Sequence, residues 1–174
     1  MIFTLSLSLA ACHKGEDNSI LDFLPEKLTY TDGSGIWSTV LTIEGDGSFK
    51  GYFQEIADTE TDTQYPGGTV YYCNFSGQFT DIKKVDANTY TMHLGEIVTE
   101  QEKGTTETDG GIRYIAYAPL GMTKNADYVL HCPNTPVDGL PENFLLWWPG
   151  RDAEPETLSC YGLRNTASND GFFS

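Results

Sequence analysis

His93, His131, Cys73, Cys132 and Cys160 are the side chains best suited to metal ligation or nucleophilic attack in this 174-residue chain. A metal needs ligands that converge, and the sequence has no Cys-x-x-Cys or His-Glu-x-x-His to bring them together. The two histidines fall in separate expected strands, so both read as surface residues and no metal site is expected. A cysteine nucleophile needs a neighbouring base. His131 adjoins Cys132, but successive residues of a strand point to opposite faces. The segment Asp58-Thr59-Glu60-Thr61-Asp62 alternates carboxylates as a calcium loop can, without the glycine and terminal glutamate of an EF-hand. Gly-x-Ser-x-Gly and phosphate-cradling glycine loops are absent. Paired acids for glycoside hydrolysis remain open, because 25 acidic residues always allow some pair at a suitable separation. No catalytic residue, metal or cofactor is therefore expected.

Aromatic residues, 13% of the chain, carry the remaining chemistry. Tyr52, Tyr65, Tyr72, Tyr114, Tyr117, Trp147 and Trp148 could form a stacking surface for a sugar, peptide or lipid-like ligand. Trp37, Tyr71 and Phe75 are assigned to the core instead. Adjacent helical residues diverge by roughly 100°, so Trp147 and Trp148 are not both expected to be buried. One of that pair is the leading candidate for ligand contact, with Tyr72 and Tyr114 beside it.

With 25 acidic against 10 basic residues the formal charge is −15, which repels phosphate backbones and excludes nucleic acid as a partner. Most of that charge reads as a solvated surface. Three cysteines remain once Cys12 is set aside, so at most one internal disulfide can form. Cys132 with Cys160 is the favoured pair, leaving Cys73 as a buried thiol.

These side chains must be positioned by strands. Eighteen glycines punctuate short alternating runs, the pattern of antiparallel strands joined by turns. Strands are expected over 36–43 and 48–55, linked by Glu44-Gly45-Asp46-Gly47, whose glycines tolerate a tight connection. In 69–80, Tyr71, Cys73, Phe75, Gly77 and Phe79 share one face. A fourth strand over 89–98 completes a meander. Residues 99–110 contain no aliphatic side chain and read as an exposed loop, as does 58–68. Shorter strands follow at 112–117 and 127–132, and a closing one at 157–164. Pro141 suits a first helical turn and Pro149-Gly150 a stop, which predicts one short capping helix of about two turns over 141–148, its apolar residues lying against the sheet or capping it. The fold class is all-β, an antiparallel meander forming a barrel-like or strongly curved sheet, with 20–174 as a single β domain.

The chain opens with an uncharged apolar run, too short to span a bilayer, that ends in small residues before a cysteine. Leu9-Ala10-Ala11-Cys12 resembles the lipobox of bacterial lipoproteins. That implies a cleaved signal peptide over 1–11, lipid on Cys12, and a polar tether over 12–19 on the extracytoplasmic face of the cell membrane. The first basic residue, Lys14, lies beyond the implied cut, which departs from an ordinary signal. Gly35-Ile36-Trp37 followed by Gly47-Ser48-Phe49-Lys50-Gly51-Tyr52 resembles the opening of lipocalins and avidin-like proteins, whose barrels hold small ligands. The segments Asn74-Phe75-Ser76-Gly77-Gln78-Phe79-Thr80-Asp81-Ile82-Lys83-Lys84-Val85, Gly111-Ile112-Arg113-Tyr114-Ile115-Ala116 and Trp147-Trp148-Pro149-Gly150 resemble uncharacterised lipoproteins of gut-dwelling Gram-positive bacteria, which implies an address and no chemistry. The expectation is a lipid-anchored binding module, not an enzyme, for a small molecule, glycan or peptide. The alternatives are a structural or adhesive envelope protein and a surface hydrolase.

Overall fold

Ten strands form one antiparallel-dominated sheet, and eight of them close on themselves. The structure is a computed structural model that describes residues 18–24, 26–57 and 63–174. Its strands are β1 (Leu28–Tyr30), β2 (Trp37–Ile43), β3 (Ser48–Ile56), β4 (Thr69–Lys84), β5 (Thr89–Thr99), β6 (Thr106–Asp109), β7 (Ile112–Ala116), β8 (Ala126–His131), β9 (Gly162–Asn165) and β10 (Gly171–Phe173). Around the barrel they run β1-β2-β3-β4-β5-β8-β9-β10, and β10 pairs with β1 to close it. Each neighbour in this ring pairs antiparallel, so the all-β barrel expected from the alternation is an up-and-down barrel.

The β2–β3 hairpin shows how the turn sets the register. Gly47 holds φ at +86°, and its N–H donates to the Glu44 carbonyl at 2.9 Å. Asp46 accepts from the Ser48 N–H at 2.8 Å, so the turn carries its own support. An added Cβ on Gly47 would press on the Phe79 carbonyl at 2.5 Å. The turn therefore also packs on β4.

Inward positions alternate between large and small, as the taper of a small barrel requires. Gly51 stands opposite Phe75, and Gly77 opposite Phe49, so each glycine gives a phenyl ring room to lie across the neighbouring strand. Leu41, Phe53, Phe79, Leu94, Tyr128, Leu130, Leu163 and Phe172 fill the lumen, essentially without exposure. β4 is bulged between Thr80 and Lys83, with Asp81 at φ 54°. That shift moves the inward position from odd to even numbers, and Ile82 becomes fully buried.

One end of the barrel is crossed by the loop 117–125. Its backbone satisfies polar groups that point inward: Thr39 Oγ1 donates to the Leu120 carbonyl at 2.9 Å, and Asn165 Nδ2 donates to the Gly121 carbonyl at 3.0 Å. Tyr128 Oη accepts from the Thr123 N–H at 2.8 Å. Buried polar side chains thus pin the loop across the opening.

Several sequence expectations are corrected. Residues 99–110 are not loop throughout. β6 is a fully exposed strand held only by its ladder to β7, which supplies backbone bonds where the composition supplies no core. β7 pairs parallel with the first residues of β4, beyond the end of β5, and so extends the sheet past the barrel end. The expected closing strand begins later, at Gly162, and β1 and β10 are both too short to announce themselves. The helix α1 (Glu142–Leu145) is one turn, with Pro141 at its N-cap position. Of the two expected placements it takes the first and lies against the sheet: Phe144, Trp148, Leu158 and Phe173 form a second cluster on the outer wall of β9 and β10. The segment 134–158 that carries it folds back on itself through Asn134–Leu158 and Val137–Glu156 backbone bonds.

Candidate functional site

The barrel end spanned by the loop 117–125 gathers the aromatic side chains that the core does not absorb. Tyr30 ends β1 and Trp37 begins β2, with ring centroids 4.9 Å apart. Trp147, reaching in from the segment after α1, packs edge-on against Tyr30 at 4.8 Å and Trp37 at 5.7 Å. Across the opening, Tyr117 packs against Tyr71 at 5.7 Å and Phe53 at 6.0 Å. Lys103 sets its ammonium over the Tyr117 ring, 4.5 Å from the centroid. Ile36, Ile56, Tyr117 and Leu120 remain exposed at this end.

Strand register adds a carboxylate to this aromatic rim. Glu55 stands directly opposite Trp37 on one side and Tyr71 on the other. Opposite residues of a ladder share a face. The next row inward, Thr39, Phe53 and Cys73, is buried in the lumen, so Trp37, Glu55 and Tyr71 form the last inward-facing row. Two further carboxylates flank it. Asp170 accepts from the Tyr30 hydroxyl at 2.8 Å; burial, aided by that carboxylate, pushes the Tyr30 phenol well above its usual range. Asp32 is held below the usual carboxylate range chiefly by Ser34, and it also accepts from the Trp37 side chain.

The four aromatic residues expected to touch ligand divide into two groups. Trp147 belongs to the rim just described and is half-buried. Trp148 is 3% exposed in the outer-wall cluster and presents no ligand surface. Tyr72 and Tyr114 meet edge-on at 6.1 Å on the outer face, where β7 joins β4. Tyr72 is almost covered, and burial raises its phenol pKa first, with Glu107 next. Tyr52 is exposed on the same face. Trp37 and Tyr71, assigned to the core, are only partly buried and belong to the rim. Glu55 and Asp32 escaped sequence reasoning. Counting outward from the turn 44–47 pairs Trp37 with Glu55, and that was the available signal.

A second feature lies on the outer wall of β4, β5 and β8. A groove of about 480 Å3 is lined by Asp81, Lys83, Thr91, His93 and Asp127, among others. His93 Nδ1 and Asp127 Oδ1 are 2.8 Å apart. Both are well exposed, and no activated nucleophile adjoins them. His131 departs from its expected surface position: it is 4% exposed because Phe144 of α1 lies 5.4 Å from its ring.

The expected Cys132–Cys160 disulfide is not formed. All three described cysteines are free, Cys132 packed with the barrel core and Cys160 with the outer-wall cluster. Burial raises the pKa of each thiol, so none is an activated nucleophile. A thiol reagent should accordingly label each of Cys73, Cys132 and Cys160 in denaturant without prior reduction, with half-buried Cys160 reacting first in the folded protein; joint protection of Cys132 and Cys160 would restore the disulfide. Among the described residues no three His, Cys, Asp or Glu side chains converge as a metal would require. Cys12, the signal, tether residues 12–17 and the Asp58–Asp62 acidic run lie outside the described residues, whereas Asn18 and Ser19, also assigned to the tether, open a 3-10 turn over Asn18–Phe23.

These features define a closed, eight-stranded, up-and-down β-barrel with a packed lumen and one aromatic, acidic end. No protein-family model, curated protein or solved structure matches the chain.

Proposed function

We propose that this protein is a binding module, lipid-anchored through Cys12 on the outer face of the cell membrane, that holds a small molecule, glycan or peptide at the aromatic end of its barrel. The observation that carries the reading is the placement of Trp147. A half-buried tryptophan from a distant segment closes on Tyr30 and Trp37 at the opening, while the lumen behind them is filled by Phe53, Tyr128, Phe172 and their neighbours. A lipocalin-like barrel would take its ligand inside; here the side chains leave the rim as the available surface. Amphipathic aromatic rings suit such a role because they offer large contact area at low entropic cost. The reading involves no catalytic step, and the lipobox Leu9-Ala10-Ala11-Cys12 supports the address.

Titration with soluble envelope glycan fragments and peptides, followed by tryptophan fluorescence, tests the site. Trp147→Ala should weaken binding at least tenfold while Tyr114→Ala leaves it unchanged. The reverse pattern would move the site to the outer tyrosine face. That second reading, an adhesive or structural contact, draws on the exposed Tyr52 beside the Tyr72–Tyr114 pair. Metabolic labelling with a fatty acid tests the address, and a label that survives Cys12→Ser would overturn it.

A further inference from the structure

We infer that the aromatic end of the barrel recognises an aliphatic ammonium group, with Glu55 as its counter-ion and Trp37 and Tyr71 as its walls. This rests on the reading that ligand binds at that end, and it names the chemistry the ligand must carry.

Glu55 is half-buried, and among the described residues its carboxylate has no hydrogen-bond or ion-pair partner. A carboxylate flanked by two aromatic neighbours and without a charged partner is open to a cation or donor brought by a ligand. Its flanking rings are the right companions for a cation: the faces of Trp and Tyr carry negative charge density that attracts ammonium within about 6 Å of the centroid. The rim already shows that preference within the molecule, because Lys103 places its ammonium over Tyr117, whose ring packs on Tyr71. Asp32 and Asp170 add negative charge beside Trp37 and Tyr30. At longer range the excess of acidic residues, a formal charge of −15, draws cations and repels anions. A neutral ligand would leave Glu55 without a counter-charge, and an anionic one would face three carboxylates.

Two sources share this chemistry, a choline-type head group and a lysine side chain, and the test separates them. The full protein is titrated with choline, with its uncharged isostere 3,3-dimethylbutan-1-ol and with Nα-acetyl-lysine amide, while the indole N–H resonances of Trp37 and Trp147 are followed by NMR. The expected result is saturable shifts with one or both cations, at least tenfold weaker binding of the neutral isostere, and at least tenfold loss with Glu55→Gln. The tighter of the two cations identifies the source. The spectrum of Glu55→Gln away from the rim reports whether the variant folds, and Asp32→Asn provides a second, fully exposed substitution that should weaken binding less. Equal binding of choline and its isostere, or an unaffected Glu55→Gln, would overturn the inference while leaving the rim as a binding surface through apolar contact. Silence of both indoles toward either cation would also overturn it, and the Trp147→Ala titration with glycans and peptides would then decide separately whether the rim binds at all.

Discussion

Acidification from pH 7 to about pH 4 should destabilise the protein by about 3 kcal/mol through His131 alone. This imidazole is 4% exposed, and neither ring nitrogen has a partner among the described residues. Burial, with the Arg164 guanidinium adding to it and Asp86 opposing it, lowers its pKa from an ordinary 6.5 to about 4. The unfolded chain therefore takes up a proton near pH 6.5, while the folded protein resists until about pH 4. Between those values the unfolded state binds more protons, so stability falls as pH falls through that window and levels off below it. Each pKa unit is worth about 1.4 kcal/mol, which sets the size of the effect. Urea unfolding midpoints at pH 7 and pH 4 measure it. His131→Leu should flatten that dependence, and it should cost little at pH 7, because it replaces an unpartnered polar ring by an apolar side chain. Other carboxylates also titrate in acid, Asp86 among them, and its depressed pKa, due first to the Asn88 N–H, acts in the same direction. The difference between the two proteins isolates the histidine. Equal slopes would show that His131 is solvated.

The barrel was legible wherever strands were long enough to show their period. β2 to β5 alternate over seven or more residues each, and the turn at 44–47 fixes the β2–β3 pairing. β1 and β10 have three residues apiece, too few for a period to stand out, yet their mutual pairing is what closes the ring. The site was half legible for a related reason. Composition marked Trp147, Tyr72 and Tyr114 as candidates, but contacts between residues such as Trp147 and Tyr30 depend on tertiary placement of the segment 134–158, which no local period encodes. Glu55 was hidden among 25 acidic residues, and only register separates it from a solvated carboxylate. His131 and Trp148 were misjudged or left undecided because the wall they lie on is outside the barrel. An outward position on an ordinary barrel strand is wet; here Phe144 and its neighbours cover it.

That covering leads to the second large effect. Phe144→Ala should cost about 3–5 kcal/mol, the range for deleting a buried phenyl ring. The ring is fully buried and meets Phe173 at 4.8 Å, and it sits where added Cβ atoms on Gly162 or Gly171 would come within 2.8 or 2.7 Å of it. Two glycines on adjacent strands thus form the seat, and they carry no side chain that could move into the void. α1 is a single turn with no side-chain cap, which cannot hold itself without its anchor. The loss should therefore appear first as local opening. Hydrogen exchange at the Trp147 and Trp148 amides, which donate to the Phe144 and Leu145 carbonyls, should accelerate strongly, while the β2–β3 and β3–β4 ladders keep their protection. Two consequences tie this packing to the rest of the molecule. Uncovering His131 should return its pKa toward 6.5 and shrink the pH dependence, and releasing Trp147 from Tyr30 and Trp37 should weaken ligand binding at the rim without touching Glu55. A loss below about 1 kcal/mol with unchanged exchange at residues 147 and 148 would show that the segment is held by its other contacts, Leu158 and Trp148 foremost, and that the rim does not depend on this seat.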